Sequence, residues 1–355
     1  MNKRIVITGG AGFVGSNLCI HLKLTHPTYS VVAFDSLKRR GSELNLDRLR
    51  SAGVEFVHGD IRCKEDFEGL GKADVLVDAS AEPSVLVGLE SGADYLINTN
   101  LNGTLNCLGY AQKHNADFIF LSTSRVYPIQ GLARLSLEEL PTRFDLAVQQ
   151  EQDGASREGI AESFSLAGSR SLYGATKLAA ELLIEEYREW MGIRTLINRF
   201  GVVAGPWQMG KVDQGFVSLW MAKHLWQSEL AYIGYGGEGK QARDILHVQD
   251  LVELIDRQIH QISSLSGQTF NVGGGRHNLA SLAEMTALCQ KATGNTIAIR
   301  NVSETRPADV PLYCTDNAKI KNTMGWEPRF SLDTIVEDTF RWMESHQRIL
   351  KPILS

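Results

Sequence analysis

The sequence lacks the features that mark membrane, nucleic-acid-binding and disulfide-rich proteins. No apolar run approaches the roughly 18 residues of a membrane span, and the start MNKRIVITGG is typical of a strand rather than a signal peptide. Net charge is −5 without a basic block, so we expect no nucleic-acid partner. The five cysteines form no CxxC pair and the nine histidines no HExxH spacing, so we expect neither disulfides nor a metal site. A reduced, cytoplasmic protein without a membrane partner fits these absences.

The residues that are present suit a large α/β protein. Of 355 residues, 43% are hydrophobic and 33 are glycine, and this length is comfortable for two lobes. Through the first 200 residues, short apolar runs alternate with amphipathic segments. Such alternation predicts a parallel, doubly wound sheet with helices on both faces.

A glycine-rich turn lies between the first predicted strand and the first predicted helix. The run TGGAGFVGSN places Gly9, Gly12 and Gly15 after the apolar segment Lys3–Thr8. Glycine lets such a turn tighten and lets its backbone approach a pyrophosphate at the helix N-terminus. Asp35 ends the second strand about 20 residues later, where a carboxylate can accept both ribose hydroxyls of NAD. These features predict a Rossmann-type dinucleotide site.

The loop after Asp35 leaves the choice between NAD and NADP open. Lys38, Arg39 and Arg40 follow, and basic residues there can receive the 2′-phosphate of NADP. They are equally typical of a solvated loop. Because the Asp35 carboxylate would repel that phosphate, we favour NAD.

A tyrosine and a lysine stand four residues apart at the start of a long amphipathic segment. Tyr173 and Lys177 belong to the run SLYGATK, and positions i and i+4 share one face of a helix. The ammonium can therefore make the phenol more acidic, although most such pairs are solvated surface pairs. Thr123 follows the fifth predicted strand and would present a hydroxyl at the sheet edge, where Ser/Thr residues usually only cap a turn.

Together, these motifs resemble the extended short-chain dehydrogenase/reductase family over essentially the whole chain. The NAD-dependent sugar-nucleotide epimerases and dehydratases look closest, and among them the CDP-paratose 2-epimerases, also called CDP-tyvelose epimerases. The more specific matching runs are FDSLKRRG, TSRVY, VDQGFV, GKQARDILH and FNVGG.

The resemblance implies the site residues, each at a matching position of this sequence. The expected catalytic residues are Thr123, Tyr173 and Lys177, with no metal. The expected NAD contacts are Gly9, Gly12, Phe13, Val14, Gly15, Asp35, Ser36, Arg40, Asp60, Ile61, Ala79, Ser80, Ala81, Asn100, Tyr173 and Lys177. The expected substrate contacts are Glu82, Thr123, Gln214, Arg243 and Arg306.

The resemblance also implies the reaction and the domain organisation. We expect inversion of a carbinol carbon through a transient keto-sugar, with C2 of a CDP-deoxyhexose favoured. A UDP- or dTDP-sugar 4-epimerase and a nucleotide-sugar reductase remain alternatives. A non-enzymatic NAD sensor is disfavoured, because Tyr173 and Lys177 are both present. A homodimer is implied, with an NAD-binding Rossmann domain over 1–202 and roughly 244–262 and a smaller α/β nucleotide-sugar lobe over 203–243 and 263–355.

Departures from the family pattern surround the expected substrate pocket. Dehydratases of the family carry Asp-Glu directly after the catalytic threonine, whereas this chain has Ser124 and Arg125, so dehydration is disfavoured. Asp78 stands where histidine is usual, and Pro128 where glycine is usual. The polar segment 129–170 is interpreted as a lid or a surface excursion.

Overall fold

A computed structural model describes residues 2–84, 92–210 and 214–354. Val212 and Asp213, from the VDQGFV run, lie outside the described residues. Among the described residues, no helix is long and apolar enough to cross a membrane. All five cysteines are free thiols.

Strands and helices alternate through the first half of the chain. The strands are β1 (Arg4–Thr8), β2 (Ser30–Asp35), β3 (Glu55–His58), β4 (Val75–Asp78), β5 (Asp117–Thr123), β6 (Leu137–Glu139), β7 (Phe144–Leu146), β8 (Ala155–Ser156), β9 (Gly159–Ile160), β10 (Thr195–Phe200), β11 (Val202–Ala204), β12 (Leu230–Ile233), β13 (Ala242–His247), β14 (Gln268–Val272), β15 (Leu279–Ser281), β16 (Ile299–Val302) and β17 (Leu312–Tyr313). The α-helices are α1 (Phe13–Thr25), α2 (Asn45–Ser51), α3 (Asp94–Ile97), α4 (Gly103–His114), α5 (Ile129–Ala133), α6 (Leu172–Met191), α7 (Phe216–Leu225), α8 (Val248–Leu265), α9 (Leu282–Thr293), α10 (Ala318–Met324), α11 (Leu332–Ser345) and α12 (Gln347–Leu354).

A seven-stranded sheet in the order β14-β10-β5-β4-β1-β2-β3 forms the central layer. Strands β1 and β4 pair in parallel, as do β1 with β2 and β4 with β5. These strands are near-continuous apolar runs because both faces of the sheet are covered. The predicted α/β, Rossmann-type doubly wound sheet is confirmed. Its strand order reverses between β1 and β4, and ligands bind to such sheets at that reversal, beyond the carboxyl ends of the strands.

The chain forms two compact units. Unit 1 comprises 1–123, 172–199 and 251–269, and unit 2 comprises 124–171, 200–250 and 270–355. The predicted boundaries assigned 124–171 to the cofactor domain, whereas this segment groups with unit 2. The functional roles assigned to the two domains stay a prediction.

Unit 1 departs from the sequence-based expectation at one helix. The single helix predicted over 95–114 is divided into α3, a π-helical turn over Asn98–Asn102, and α4. A π turn widens the helix by one residue and is frequent at functional sites. It matters here because Asn100, an expected NAD contact, lies within it.

Unit 2 is more ordered than its sequence indicates. The segment predicted to be irregular, 129–170, contains α5 and two antiparallel hairpins, β6–β7 and β8–β9. Its second hairpin bridges to Thr315. A capping box between Ser281 and Glu284 starts α9.

Candidate active site

The glycine turn of unit 1 forms a backbone cradle that side chains would fill. Gly9 has φ +63°, and a Cβ on it would lie 2.9 Å from the Ala79 carbonyl oxygen. A Cβ on Gly15 would lie 2.1 Å from the Gly9 carbonyl oxygen. Only glycine fits at these two positions. The turn leads into α1, whose N-cap, Gly12, makes no side-chain capping bond, as expected where backbone N–H groups are kept for an anion.

Asp35 lies at the carboxyl end of β2 and is fixed by the glycine turn. Its carboxylate accepts hydrogen bonds from the backbone N–H groups of Ala11 (3.0 Å) and Leu37 (2.8 Å). Burial raises the pKa of the Asp35 carboxyl above its ordinary value, and these hydrogen bonds oppose the rise. The carboxylate is therefore oriented beside the turn, as the ribose contact of a dinucleotide requires.

Asp60 and Ile61 follow β3 and have different surroundings. The Asp60 carboxylate accepts from Arg62 Nε at 3.0 Å, and this bond lowers the pKa of the carboxyl. Arg62 lies over the ring of Tyr95, 4.8 Å from its centroid, and Lys38 lies 5.6 Å from the same centroid. Ile61 is buried.

Ser36 is half-buried after β2, whereas Arg40 is exposed. Phe13 and Val14 open α1 and are half-buried. Phe13 and Val14 lie between glycines of the turn, whereas Ser36 and Arg40 follow Asp35. The cofactor contacts of all four residues stay a prediction.

The carboxyl end of β4 carries a buried carboxylate. Asp78 is fully buried and accepts from the hydroxyls of Thr8 (2.7 Å) and Thr104 (2.9 Å). The Ser80 N–H also lies within hydrogen-bond distance, at 3.2 Å. Ala79, Ser80 and Ala81 follow directly, so the expected cofactor contacts there extend from a rigid strand end.

Asn100 connects the π turn to two other elements of unit 1. Its side-chain oxygen accepts from the Glu82 N–H at 2.8 Å, and its amide donates to the Glu82 carbonyl at 3.0 Å and to the Thr176 hydroxyl at 3.3 Å. Asn100 is 1% exposed, and its side-chain amide is occupied by these three hydrogen bonds to neighbouring segments. It thereby holds the segment after β4 beside α6, the helix of Tyr173.

Thr123, Tyr173 and Lys177 all lie in unit 1. Thr123 is the last residue of β5, and Tyr173 and Lys177 fall in the first turns of α6, one turn apart. All three are buried, with exposures of 8%, 9% and 1%. A surface pair at helical spacing would be solvated, and this pair is not.

Lys177 is a buried cation beside an aromatic ring and two carboxylates. Its Nζ lies 3.7 Å from the centroid of Phe120, a close cation–π contact. Burial lowers the pKa of Lys177 from 10.5 to about 8, while the negative charges of Asp78 and Glu181 oppose that shift. At pH 7 such an amine keeps its proton in roughly nine of ten molecules.

Glu181 is the second carboxylate that acts on Lys177. It accepts hydrogen bonds from the Ser122 hydroxyl and from Arg199 Nη2, the latter at 2.7 Å, and is 2% exposed. Sequence reasoning missed both Asp78 and Glu181 as neighbours of the lysine. Glu181 could have been found, because it lies four residues after Lys177 on the same helix face. Asp78 could not, because only strand pairing brings it there.

Unit 2 carries the arginines that were predicted to bind nucleotide phosphates. Arg243 Nη2 lies 2.8 Å from Asp309 Oδ1 and donates to the Val310 carbonyl at 2.7 Å. The Asp309 N–H donates to the Arg306 carbonyl at 3.3 Å, so the Arg306 loop is tied to Arg243. Gln214 is half-buried just before α7. Their substrate contacts stay a prediction.

Tyr235 marks a further group of charges in unit 2. Burial raises the pKa of Tyr235 to about 12; the negative charge of Asp309 adds to the rise, whereas the cations Arg243 and Arg125 oppose it. Arg125, directly after Ser124, also donates to the Ala308 carbonyl at 3.4 Å. Sequence reasoning treated Arg125 only as evidence against dehydration, but it shares this group with Arg243.

Unit 1 fits a dinucleotide. The cradle at Gly9 and Gly15, the open start of α1 and the oriented Asp35 carboxylate lie at the carboxyl ends of β1 and β2. These are the elements that hold the pyrophosphate and ribose of NAD.

Several known proteins are similar to this chain over nearly its whole length. The chain is 30% identical over 352 residues to the CDP-paratose 2-epimerase of Salmonella typhi, covering 96% of this chain and 99% of the relative. It is 25% identical over 374 residues to a bifunctional UDP-glucose 4-epimerase and UDP-xylose 4-epimerase of Pisum sativum, with 97% of both chains covered. The dTDP-glucose 4,6-dehydratase of Bacillus anthracis, solved in complex with NAD, superposes with a TM-score of 0.76 at 25% identity and covers 99% of both chains.

The family model described as the NAD dependent epimerase/dehydratase family matches residues 5–273. That span includes the glycine turn, Asp35, Thr123 and the Tyr173–Lys177 pair. The chain is therefore an NAD-dependent enzyme and belongs to the NAD dependent epimerase/dehydratase family, as its motifs predicted.

Proposed function

We propose that this enzyme is a nucleotide-sugar epimerase that inverts C2 of a CDP-deoxyhexose and retains its NAD. The observation that carries the reaction class is the end of β5, where Thr123 is followed by Ser124 and Arg125. Removing water from the sugar would need an acid/base pair there, and the chain offers a hydroxyl and a cation. Full-length similarity to a CDP-paratose 2-epimerase supports C2 as the carbon and CDP as the nucleotide.

The residues of unit 1 supply the proton chemistry. Bound NAD would supply the hydride chemistry that oxidises the carbinol carbon and then reduces the keto-sugar from its opposite face. Tyr173, as phenolate, removes the hydroxyl proton and later gives it back to the same oxygen. Thr123 donates a hydrogen bond to that oxygen and fixes its position. Asp35 and the glycine turn hold the cofactor, and Asn100 supports the segment around Glu82.

Lys177 makes the phenolate accessible near neutral pH. Moving a phenol pKa from about 10 to about 7 requires roughly 4 kcal/mol. A cation about 5 Å away supplies roughly 3 kcal/mol at an effective dielectric of about 20. The positive charge of the oxidised nicotinamide ring would supply the remainder. Since the pKa of Lys177 is about 8, the required ammonium is present at pH 7.

Unit 2 supplies binding groups for the nucleotide-sugar. Arg243 and Arg306 would hold the diphosphate, because guanidinium groups bind phosphate oxygens in a bidentate manner and stay charged at every relevant pH. Gln214 and Glu82 would contact the remaining polar groups of the substrate.

Exposed apolar side chains on α6 support a homodimer. Leu182 is 58% exposed, Trp190 75% and Met191 52%. Large apolar side chains gathered on one helix are typical of a protein interface. We expect a dimer by light scattering, and a monomer for Leu182→Glu combined with Trp190→Glu. A wild-type monomer would contradict the dimer proposal.

Product stereochemistry tests the proposed reaction. The purified enzyme is incubated with CDP-, UDP-, dTDP- and GDP-linked sugars, and the products are assigned by NMR while NADH absorbance is followed. We expect inversion at C2 of a CDP-deoxyhexose with no net NADH. Inversion only at C4 of a UDP- or dTDP-sugar would contradict the substrate assignment. Loss of water or stoichiometric NADH formation would contradict the reaction class.

A further inference from the structure

A group of histidines surrounds one carboxylate, Asp256, between the C-terminal end of α1 and helix α8. His26 follows the C-terminal end of α1, and Asp256 and His260 lie on α8, all within unit 1. One ligand atom from each of these three residues lies within 4.8 Å of the other two. His26 precedes Asp256 by 230 positions in the chain, so spacing in the sequence did not indicate a metal site.

The distances within this group are those between the ligands of a small metal ion. His26 Nε2 lies 2.9 Å from Asp256 Oδ1, and His260 Nδ1 lies 3.2 Å from the same oxygen. In a tetrahedral zinc site with metal–ligand bonds of about 2.0–2.1 Å, neighbouring ligand atoms are about 3.3 Å apart. Asp256 and His260 are also an i,i+4 pair on one helix face, the spacing by which helices present two ligands to one ion.

Neighbouring side chains hold the ligands in place. The Tyr29 hydroxyl lies 2.8 Å from His260 Nε2, and the rings of Tyr29 and His26 stack with centroids 4.6 Å apart. His21 Nε2 lies 3.2 Å from Asp256 Oδ2. The side chains of the group are therefore oriented by their neighbours, as metal ligands are by the groups around them.

We propose that His26, Asp256 and His260 bind a divalent transition-metal ion of the zinc class, which links the end of α1 to α8. Two imidazoles and one carboxylate favour Zn²⁺ or Co²⁺ over Mg²⁺ or Ca²⁺, which prefer oxygen ligands. On binding, the Nδ1 of His260 exchanges its contact with the Asp256 carbonyl, now 2.7 Å, for the metal. The His260 ring proton then lies on Nε2 and is donated to Tyr29. The proton by which His26 Nε2 contacts the Asp256 carboxylate is released as well, to solvent or to His26 Nδ1, so that Nε2 can bind the metal. Water fills the fourth position.

Direct titration tests the site on the full-length, untagged protein after dialysis against a chelator. We expect calorimetry to show one equivalent of Zn²⁺ bound, and Co²⁺ to give the strong visible absorption of a tetrahedral site. His26→Ala and Asp256→Asn should each weaken binding at least tenfold. The matched control is His277→Ala, which removes an exposed histidine of unit 2 and should bind like wild type.

Stability and activity complete the test. A metal that links α1 to α8 raises Tm by mass action, so Zn²⁺ should raise Tm for wild type and for His277→Ala but not for His26→Ala. Epimerase activity without added metal should change less than about twofold in His26→Ala, which shows that the variant is folded. Absence of stoichiometric binding, or binding unchanged by His26→Ala and Asp256→Asn, would overturn the proposal.

Discussion

Lys177 in unit 1 and Arg243 in unit 2 are both cations of the proposed mechanism, but their surroundings are opposite. Lys177 is 1% exposed and lies over the ring of Phe120, and the carboxylates near it are engaged elsewhere, Asp78 with two threonine hydroxyls and Glu181 with Arg199. Arg243 is partly exposed and forms a direct ion pair with Asp309. Burial lowers the lysine pKa to about 8, against the opposing charges of the two carboxylates. Guanidinium groups in general keep their charge at every relevant pH.

This difference separates two uses of positive charge. A group whose pKa lies near the working pH can tune a neighbouring acid, which is what Tyr173 requires. A permanently charged, planar group is suited to phosphate oxygens. The comparison predicts that variants in unit 1 change turnover and pH dependence, while variants in unit 2 change substrate affinity.

The largest expected effect is that of removing the phenol. Tyr173→Phe should lower kcat about a thousandfold or more while NAD and nucleotide-sugar still bind, because the base is lost and the ring is kept. Turnover numbers and binding isotherms measure this. Tyr187→Phe, on the same helix, is the matched control and should keep near-normal activity. A Tyr173→Phe enzyme with normal turnover would mean that another group is the base.

Removing the Lys177 ammonium should have the next largest effect on turnover. Lys177→Met should lower kcat roughly a hundredfold at pH 7, as expected from losing about 3 kcal/mol of phenolate stabilisation. The acid limb of the pH–rate profile should also move to higher pH. Lys113→Met, an exposed lysine of α4, controls for loss of a positive charge. An unchanged pH–rate profile in Lys177→Met would mean that Lys177 only orients the cofactor.

The same Lys177→Met substitution should stabilise the protein. A lysine with a pKa of 10.5 unfolded and about 8 folded disfavours folding whenever it is charged. This cost is fully present below pH 8 and disappears as pH rises towards 10.5, because the unfolded chain binds more protons in that window. Denaturant unfolding at pH 7 should show a gain of about 3 kcal/mol. A loss of stability would show that the ammonium contributes net favourable contacts.

Removing the Arg243 guanidinium should weaken binding of the nucleotide-sugar. Arg243→Ala should raise KM for the nucleotide-sugar about 10- to 100-fold, as expected for losing charge-assisted hydrogen bonds, and should leave the pH profile unchanged. Steady-state kinetics across pH 6–9 check both points. The control Arg300→Ala removes an exposed arginine of β16. A shifted pH–rate profile in Arg243→Ala would contradict the assignment of pH dependence to Lys177 and of substrate binding to Arg243.

The smallest expected effect comes from the carboxylates beside Lys177. Asp78→Asn keeps the shape of the side chain but removes a charge that opposes the lowering of the lysine pKa. The lysine should then lose its proton at lower pH, and activity at pH 7 should fall up to about tenfold. A kinetic pH profile measures this. An Asp78→Asn enzyme identical to wild type would mean that burial alone tunes Lys177.

Sequence reasoning succeeded where function depends on local spacing. The glycine turn with Asp35 and the pair Tyr173–Lys177 follow from strand, turn and helix periodicity, and the fold, the family and NAD were predicted from them. The π turn at Asn100 was missed, because one extra residue in a helical turn leaves no mark in an apolar pattern.

Contacts between distant segments were also missed, for a different reason. Asp78 reaches Lys177 only through strand pairing, and His26 meets Asp256 only through packing of α1 and α8. The substrate remains less determined than the chemistry, because the predicted substrate contacts Gln214, Arg243 and Arg306 belong to segments whose periodicity carries no information about a sugar.

The ionisation of Tyr173 itself tests most directly whether Lys177 makes this phenol acidic. An ultraviolet difference titration compares the NAD-bound wild type with NAD-bound Tyr173→Phe, so that the difference reports the Tyr173 phenolate alone. We expect an ionisation near pH 7 in wild type, which moves upward by about two pH units in Lys177→Met. If Tyr173 ionises only near the ordinary phenol value of about 10 in both wild type and Lys177→Met, Lys177 does not activate the phenol.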